Sequence, residues 1–391
     1  MDFTLPEDVR MLHDLVRRFV RDELAPLEPH VMAREAAGQS SYLTADEQSR
    51  VDARARELDL FGLDAPEDIG GSDLPLSALV GVNEELGSTP VFYLLPPDTP
   101  NLTVLLQDGT KEQKEKYLPG LMSGALKTAI AVSEPGAGGD PSGMKTKAEK
   151  VDGGWRLNGR KIWISNASGA DFMIAFAVTG RSDTGRSEVT AFFVDKGATG
   201  LSVERRIPML AGWSTYEVVF DGCFVTDDMV LGQVGRGWVP MQKRLDARRL
   251  QVAAWCIGAA RRALEMMLDY APQRVTFGQP LSDRQVVQVW IAEAQTAIHA
   301  SRLMCQHAAW KLDNGTNAST EVSMVKAYAS EMAQTVIDRA IQLHGGMGVS
   351  KETPLYLLAE NVRLARVYEG PTEVLRWRVA RDILKGQYTV N

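Results

Sequence analysis

Cysteine is scarce in this chain of 391 residues, in which only Cys223, Cys256 and Cys305 occur. The three lie far apart, form no CxxC pair and are odd in number, which argues against a disulfide framework and favours a reducing, cytoplasmic compartment. The five histidines show no metal-ligand spacing, and no Ser-His-Asp order stands out. The sequence therefore predicts neither a metal centre nor a nucleophilic triad.

An excess of positive charge is also missing, because the formal net charge at pH 7 is −7. This balance disfavours nucleic acid as the main partner. The chain contains no run of 18 uncharged apolar residues, and it starts without the basic and then apolar segment of a signal peptide. We therefore expect a cytoplasmic protein that spans no membrane, with two or three domains for this length.

The period of the hydrophobic pattern changes twice along the chain. Residues 1–124 carry apolar residues mostly at helical spacing, which predicts an N-terminal α-helical domain. Residues 125–234 contain short β-rich runs and predict a middle β-sandwich or barrel. Residues 235–391 contain long helical patterns joined by short loops and predict a C-terminal four-helix bundle. The predicted fold class is α+β.

Local signals add detail to these domains. Thr-x-x-Glu capping boxes at Thr4 and Thr44 predict two helix starts. The pair Asn158-Gly159, with alternating residues on both sides, predicts a β-hairpin. Helices of the bundle are predicted at about 238–271, 282–313, 319–343 and 372–385.

A single carboxylate, Glu369, stands at a predicted tight turn before the last helix. Gly370 allows close approach of a backbone or ligand, Pro371 suits the first helical turn, and Tyr368 is an apolar neighbour. Two interpretations are open, a helix-capping acid or a buried general base. Taken alone, the segment favours the capping acid.

Two segments of the β domain have the composition of a cofactor site. The glycine-rich loop 133–140 can turn N–H groups and a hydroxyl toward a phosphate or a flavin edge, although an ordinary surface turn is equally consistent. It lacks the GxGxxG spacing, so a nicotinamide-binding fold is disfavoured. Trp163 and Ser165 are two apart on a predicted strand, where the indole either covers a flat cofactor or fills a sandwich core.

Three further motifs lie in the predicted bundle. Arg274 precedes a glycine at a break between helices, and Gly345 ends the next long helix, so each is either a nucleotide contact or a helix C-cap. Asp246 and Arg249 are spaced i, i+3 on the first bundle helix, and the simplest interpretation is a surface ion pair.

As a set, these motifs resemble those of a known family. SEPGAGGD, KIWISN, DARR, RVTFG, QLHGGMG and YEGPTEVLR occur in the order and domains in which the acyl-CoA dehydrogenase family carries its matching motifs. The resemblance spans essentially the whole chain. It implies FAD held between the β domain and the bundle, a homotetramer that is a dimer of dimers, an acyl-CoA substrate of fatty acid β-oxidation and an electron-transferring flavoprotein as partner.

The resemblance also implies residue roles. Glu369 matches the catalytic base. The flavin and its nucleotide, partly of a neighbouring subunit's FAD, would be bound by Val132, Ser133, Gly138, Trp163, Ser165, Arg274, Phe277, Gln285, Gln342, Gly345, Gly346 and Thr372. The substrate would be contacted by Gly139, Asp246, Arg249, Tyr368 and Gly370, with Asp246 and Arg249 at its CoA part.

The implied chemistry is removal of the α-proton by Glu369 and transfer of the β-hydride to flavin N5, which gives a trans-2-enoyl-CoA. The family stabilises the enolate-like charge with hydrogen bonds from the base's own N–H and a ribityl hydroxyl. We expect burial beside Tyr368 to raise the pKa of Glu369. Some relatives carry the base next to the DxxR arginine, but here that position is Arg248.

Some positions depart from the family pattern. Gly139 stands where most members have Ser, and Pro371 and Thr372 replace the usual Thr-Ser. Gly-Pro-x-Glu-Val at 370–374 resembles the ten/eleven-type branch, which implies medium or longer acyl chains, with aryl-propionyl and branched groups as alternatives.

Two other functions compete with acyl-CoA dehydrogenation. One is a flavin oxidase or monooxygenase of the same fold that uses oxygen, and the other is a non-catalytic, nucleic-acid-binding relative.

Overall fold

The computed structural model describes residues 4–389. Six helices come first, and they are α1 (Glu7–Phe19), α2 (Glu28–Ala36), α3 (Ala45–Glu57), α4 (Leu76–Leu86), α5 (Thr99–Asp108) and α6 (Lys111–Met122). The predicted capping box at Thr44 is present, because the Thr44 N–H donates to the Glu47 carboxylate over 2.9 Å and the Glu47 N–H donates to the Thr44 hydroxyl over 3.3 Å. The predicted box at Thr4 is wrong, since α1 begins at Glu7 with Pro6 as its N-cap.

An eight-stranded mixed sheet follows. Its strands are β1 (Thr128–Ala131), β2 (Lys147–Val151), β3 (Gly154–Ser165), β4 (Phe172–Arg181), β5 (Ser187–Asp195), β6 (Leu201–Pro208), β7 (Ser214–Thr226) and β8 (Val230–Leu231). The order is β6-β7-β3-β2-β4-β5-β8, with β1 on β4. β2 pairs with β4 at Lys147 and Val178, and Trp155 meets Phe192 with ring centroids 5.7 Å apart. The two halves of the sheet therefore pack face to face, as in a sandwich.

The hairpin predicted at Asn158-Gly159 is wrong. Both residues lie inside the continuous strand β3, and the turn to β2 is at Asp152-Gly153 instead. The Asn158 side chain accepts a hydrogen bond from the Gly222 N–H over 2.8 Å, and Gly159 has a φ of 156° at a shift of register against β7. The pair thus forms a bulge, which changes the direction of β3 just before Trp163.

The C-terminal region is helical. It contains α7 (Trp238–Tyr270), the short strands β9 (Val275–Thr276) and β10 (Gln279–Pro280), and then α8 (Gln285–Asp313), α9 (Ser319–His344), α10 (Gly346–Val349), α11 (Leu355–Ala365) and α12 (Thr372–Leu384). Helix α9 packs against α7, α8, α11 and α12. The described helices include none that is long and apolar enough to cross a bilayer.

The apolar cores join the three regions. Phe176 of β4 stacks on Trp238 at the start of α7, and Tyr117 of α6 lies 4.4 Å from Phe172 of β4 between ring centroids. Helix α4 packs against both α7 and α8, so an N-terminal helix completes the bundle core. Residues from neighbouring regions pack in the same apolar cores, so no break in packing marks a domain boundary. The boundaries at 124/125 and 234/235 therefore stay predictions.

Candidate active site

Glu369 lies in the turn between α11 and α12 with a φ of 54°, a left-handed conformation that costs a residue other than glycine about 1–3 kcal/mol. Two buried cations hold the turn. Arg249 of α7 donates from Nε to the Glu369 carbonyl over 2.7 Å, and Lys326 of α9 donates from Nζ to the Gly370 carbonyl over 2.7 Å. The N–H of Glu369 donates to no acceptor within residues 4–389, so it is available to a ligand.

The carboxylate of Glu369 forms a bidentate ion pair. Arg244 of α7 donates from Nη1 to Oε2 over 3.1 Å and from Nη2 to Oε1 over 3.2 Å. The Nε of Arg244 also donates to the side-chain oxygen of Asn101 over 2.9 Å. Arg244 has 8% and Glu369 17% of its side chain exposed, so little solvent screens the pair.

The expected rise in the pKa of Glu369 is wrong in direction. Desolvation does favour the neutral acid, but the charge of Arg244 and its hydrogen bonds, with further attraction from Arg248 and Arg249, hold the pKa below its ordinary value. Tyr368 is the neighbour that the sequence makes evident, whereas Arg244 is 125 positions away from Glu369. The one available signal was its place one helical turn before Arg248.

Asp246 and Arg249 form a buried pair, so the surface interpretation is wrong. The Asp246 carboxylate lies 3.7 Å from Arg249 Nη1, and it accepts hydrogen bonds from Ser319 and, over 2.9 Å, from Gln242. Burial raises the pKa of Asp246 and lowers that of Arg249. Arg249 Nη1 is buried with no hydrogen-bond partner in the described chain, so it can still bind an acceptor.

Arg248 points away from this pair. Its guanidinium forms an ion pair with Asp98, just before α5, and donates from Nη1 to Gln251 over 2.6 Å. The position that carries the base in some relatives is therefore occupied by a paired cation.

Lys326 was also missed, although a lysine between Val325 and Ala329 on the buried stripe of α9 is a readable signal. Burial lowers its pKa from 10.5 to about 8. Between these values the folded state loses a proton that the unfolded chain keeps, so this contribution to the free energy of unfolding rises with pH. At lower pH both states are protonated, and the desolvation cost is fully present.

We predict that Lys326→Met removes this rise of the unfolding free energy with pH. Comparing pH 8 with pH 10, the wild type should gain about 2 kcal/mol more than the variant in unfolding free energy. Urea unfolding of both proteins at the two pH values measures the difference. Equal pH dependence in the two proteins would contradict the assignment.

The glycine-rich loop lies beside the Glu369 turn. A Cβ built on Gly139 would lie 3.5 Å from Val374 and 3.6 Å from Pro371, whereas one on Gly138 would meet no described atom within 4 Å. Gly139 is thus in van der Waals reach of the turn, and Gly138 is open.

A buried ion pair connects this loop to β3. Lys161 Nζ lies 2.8 Å from Glu134 and donates to the Val132 carbonyl over 3.0 Å, and the Ile162 N–H donates to the Ser133 carbonyl over 2.9 Å. Desolvation lowers the pKa of Lys161 to about 8, with Glu134 opposing the change. The loop and the strand segment before Trp163 therefore form one rigid unit.

Trp163 presents an open indole rather than a core residue. It has a φ of 63° at a register shift of β3 and is 50% exposed, and Ser165 is exposed on the same side. A half-exposed Trp in a strained conformation beside open loop atoms is arranged for a flat ligand. Tyr368, next to Glu369, instead stacks on Trp213 at 6.3 Å between ring centroids.

The predicted nucleotide contacts lie elsewhere. Arg274, Gln285, Gln342, Gly345 and Gly346 are exposed, and Phe277, at the β9–β10 turn with a φ of 49°, is 97% exposed. Asp246 near the start of α7 meets Ser319 at the start of α9, and Tyr270 at the end of α7 stacks on His344 at the end of α9. The two helices are parallel, so about 36 Å of helix separates Asp246 from the far end.

Known proteins of one family match all three regions of the chain. Profiles of the acyl-CoA dehydrogenase N-terminal, middle and C-terminal domains match residues 6–125, 129–223 and 235–384. The chain is 38% identical to (R)-benzylsuccinyl-CoA dehydrogenase of Thauera aromatica, over 98% of this chain and 97% of that protein.

Two solved structures are similar in fold and sequence. Butyryl-CoA dehydrogenase from Megasphaera elsdenii has a TM-score of 0.86 at 30% identity, over 98% of this chain and 100% of that one. The FAD complex of PigA has a TM-score of 0.86 at 28% identity, over 98% of this chain and 99% of that one.

The residues present fit a flavin. Trp163 offers an exposed aromatic face, Gly138 leaves room for close approach, and the hydroxyl of Thr372 is buried with no hydrogen-bond partner in residues 4–389. Together with the profile matches, these features identify the chain as a member of the acyl-CoA dehydrogenase family and an FAD-dependent oxidoreductase.

Proposed function

We propose that the protein oxidises an acyl-CoA thioester to the trans-2-enoyl-CoA, with Glu369 removing the α-proton. The observation that carries this proposal is the Glu369 turn, in which a mostly buried carboxylate has its backbone fixed by Arg249 and Lys326. A fixed backbone places the base at one point, which favours proton transfer over a short, defined distance. When bound, FAD supplies the hydride acceptor.

The free N–H of Glu369 supports a second role for the same turn. A thioester carbonyl bound there would accept a hydrogen bond while negative charge develops on its oxygen. We assign Gly139, Tyr368 and Gly370 to contacts with the acyl thioester, because Gly139 lies in van der Waals reach of the Glu369 turn and the other two residues flank Glu369. Asp246 and Arg249 are assigned to the CoA part of the substrate.

For the cofactor, we assign Val132, Ser133 and Gly138 to the flavin edge, Trp163 and Ser165 to its ring, and Thr372 to a contact from α12. The residues at the far end of the bundle are assigned to the adenine nucleotide of a neighbouring subunit, namely Arg274, Phe277, Gln285, Gln342, Gly345 and Gly346. About 36 Å of helix α7 lies between Asp246 and the far end of the bundle, which supports assigning the two sets of residues to different FAD molecules. It requires an oligomer, for which we propose a homotetramer built as a dimer of dimers.

We further propose that electrons pass to an electron-transferring flavoprotein and that the enzyme acts in the cytoplasm, in acyl-CoA degradation. The loop 133–140 does not have the spacing of a nicotinamide-binding turn, which supports a protein acceptor.

The test is anaerobic titration of the purified, FAD-loaded protein with a panel of acyl-CoAs. We expect loss of the flavin absorbance near neutral pH, and return of the absorbance when oxidised electron-transferring flavoprotein is added. A flavin that no acyl-CoA reduces would refute the dehydrogenase assignment. Stoichiometric oxygen consumption during turnover would assign the protein to the oxidases instead.

A further inference from the structure

The ion pair between Arg244 and Glu369 conflicts with the proposed role of Glu369. A carboxylate held by a guanidinium at 3.1 and 3.2 Å has both oxygens occupied, and it has a depressed affinity for a proton. To act on an α-carbon, Glu369 must release at least one of these contacts. Something else must then satisfy Arg244.

Within residues 4–389, no acid other than Glu369 forms a hydrogen bond or close ion pair with Arg244, although Asp98 is near enough to attract it. Its remaining contact is to Asn101, which is neutral, while the nearby Asp98 is already paired with Arg248. Asp246 is paired with Arg249 and bonded to Ser319. In the described chain, every other carboxylate beside these arginines has a partner of its own.

Proton abstraction leaves still less negative charge beside Arg244. The proton leaves the α-carbon for the Glu369 carboxylate, which becomes neutral. Arg244, of which 8% of the side chain is exposed, then remains as a buried cation without a counter-ion. Leaving one partner of a buried ion pair uncompensated is strongly unfavourable, so a substrate that supplies no charge would react slowly.

We propose that the substrate of this site is an acyl-CoA whose acyl group carries a carboxylate, and that this carboxylate replaces Glu369 on Arg244. The inference rests on the proposed dehydrogenation and names its substrate class. The carboxylate takes no part in the redox step and only replaces the counter-ion. Since Arg244 holds the same group that must reach the α-carbon, the substrate carboxylate lies within a few carbon atoms of it.

The turn of α7 that follows Arg244 borders a small cavity. Its volume is ≈ 60 Å³, and it is lined by Ala247, Leu250, Gln251, Pro96 and Pro100 among others. Gln251 also accepts the hydrogen bond from Arg248. A cation at Arg244 and mainly apolar side chains around the next turn of α7 suit a short acyl chain with a charged branch or end.

The test compares substrates that differ only by the charge, on the FAD-loaded wild type. Succinyl-CoA is paired with butyryl-CoA, and glutaryl-CoA with pentanoyl-CoA, with the rate of anaerobic flavin reduction as the readout. We expect the carboxylated member of at least one pair to have a second-order rate constant of flavin reduction that is higher by about 30-fold or more. Neutral members that react as fast or faster would overturn the inference while leaving the proposed dehydrogenation intact.

Arg244→Gln should lower the ratio of the two rate constants from about 30 to about 1, and Arg244→Lys should restore part of it because it keeps the charge but not the bidentate geometry. The matched control is Arg261→Gln on the same helix as Arg244, which removes ion pairs with Glu84 and Glu85 of α4 and should keep the wild-type ratio. An unchanged ratio in Arg244→Gln would overturn the inference.

A binding measurement keeps the inference testable if the arginine variants fail to fold. Glu369→Gln removes the negative charge beside Arg244, and the variant cannot take the α-proton, so a bound CoA ester stays unreacted. Calorimetry should then show tighter binding of the carboxylated than of the neutral CoA ester. Equal affinities would contradict the inference. If no acyl-CoA of either kind reduces the wild-type flavin, the proposed function itself is wrong, and the inference falls with it.

Discussion

Glu369→Gln is expected to reduce the rate of flavin reduction by an acyl-CoA about 10³-fold or more, the upper part of the range for loss of a general base. Glutamine keeps the shape of the side chain and can remain near Arg244, but it cannot accept the α-proton. Stopped-flow absorbance under anaerobic conditions measures the rate. The variant should still bind FAD, because Trp163 and the 133–140 loop are unchanged.

A structural effect of this substitution has to be separated from the chemical one. Glu369→Asp keeps the charge but shortens the side chain, so it should retain more activity than the glutamine variant. If Glu369→Gln reduces the flavin as fast as the wild type, Glu369 is not the base. If the variant loses FAD or unfolds, the turn has mainly a structural role.

Lys161→Met is expected to lower the free energy of unfolding by about 3–5 kcal/mol. The substitution leaves Glu134 buried without its cation, although the N–H groups of Lys145 and Thr146 still donate to its carboxylate over 2.6 and 2.9 Å. Urea unfolding at pH 7 measures the change. Weaker FAD binding should accompany it, because the same lysine holds the Val132 carbonyl.

Lys150→Met is the matched control for this prediction. Lys150 lies in the same sheet and forms an ion pair with Asp227 at 2.6 Å, but about half of each side chain is exposed, at 51% and 57%. Exposed pairs of this kind contribute about 0–1 kcal/mol. A loss in Lys161→Met no larger than in Lys150→Met would show that Glu134 tolerates the missing cation.

The layered fold was predictable because each region repeats a simple signal. The three long helices α7 to α9 follow from apolar residues at helical spacing, and their observed ends lie within a few residues of the predicted ones. Helices α2, α5, α10 and α11 were not predicted. They are only 9, 10, 4 and 11 residues long, so few helical turns are available to show a period.

The site was only partly predictable, for a physical reason. Glycine loops and an acid before a helix leave a local trace in the sequence, so Glu369 and the 133–140 loop were found. Arg244 and Lys326 act on Glu369 and Gly370 from residues more than 40 positions away, and no local pattern encodes that contact. The direction of the Glu369 pKa depended on Arg244, so it could not be derived without the tertiary structure.

Trp163 and Glu369 of the site, and Phe277 among the proposed nucleotide contacts at the far end of the bundle, share a left-handed backbone that glycine adopts without strain. The left-handed backbone sets the direction of the Cα–Cβ bond at each of these residues, and so the direction of the side chain. Replacement by glycine would relieve the strain and remove the functional group at the same time. Selection for thermostability alone would therefore erode these three positions, and their retention depends on selection for activity.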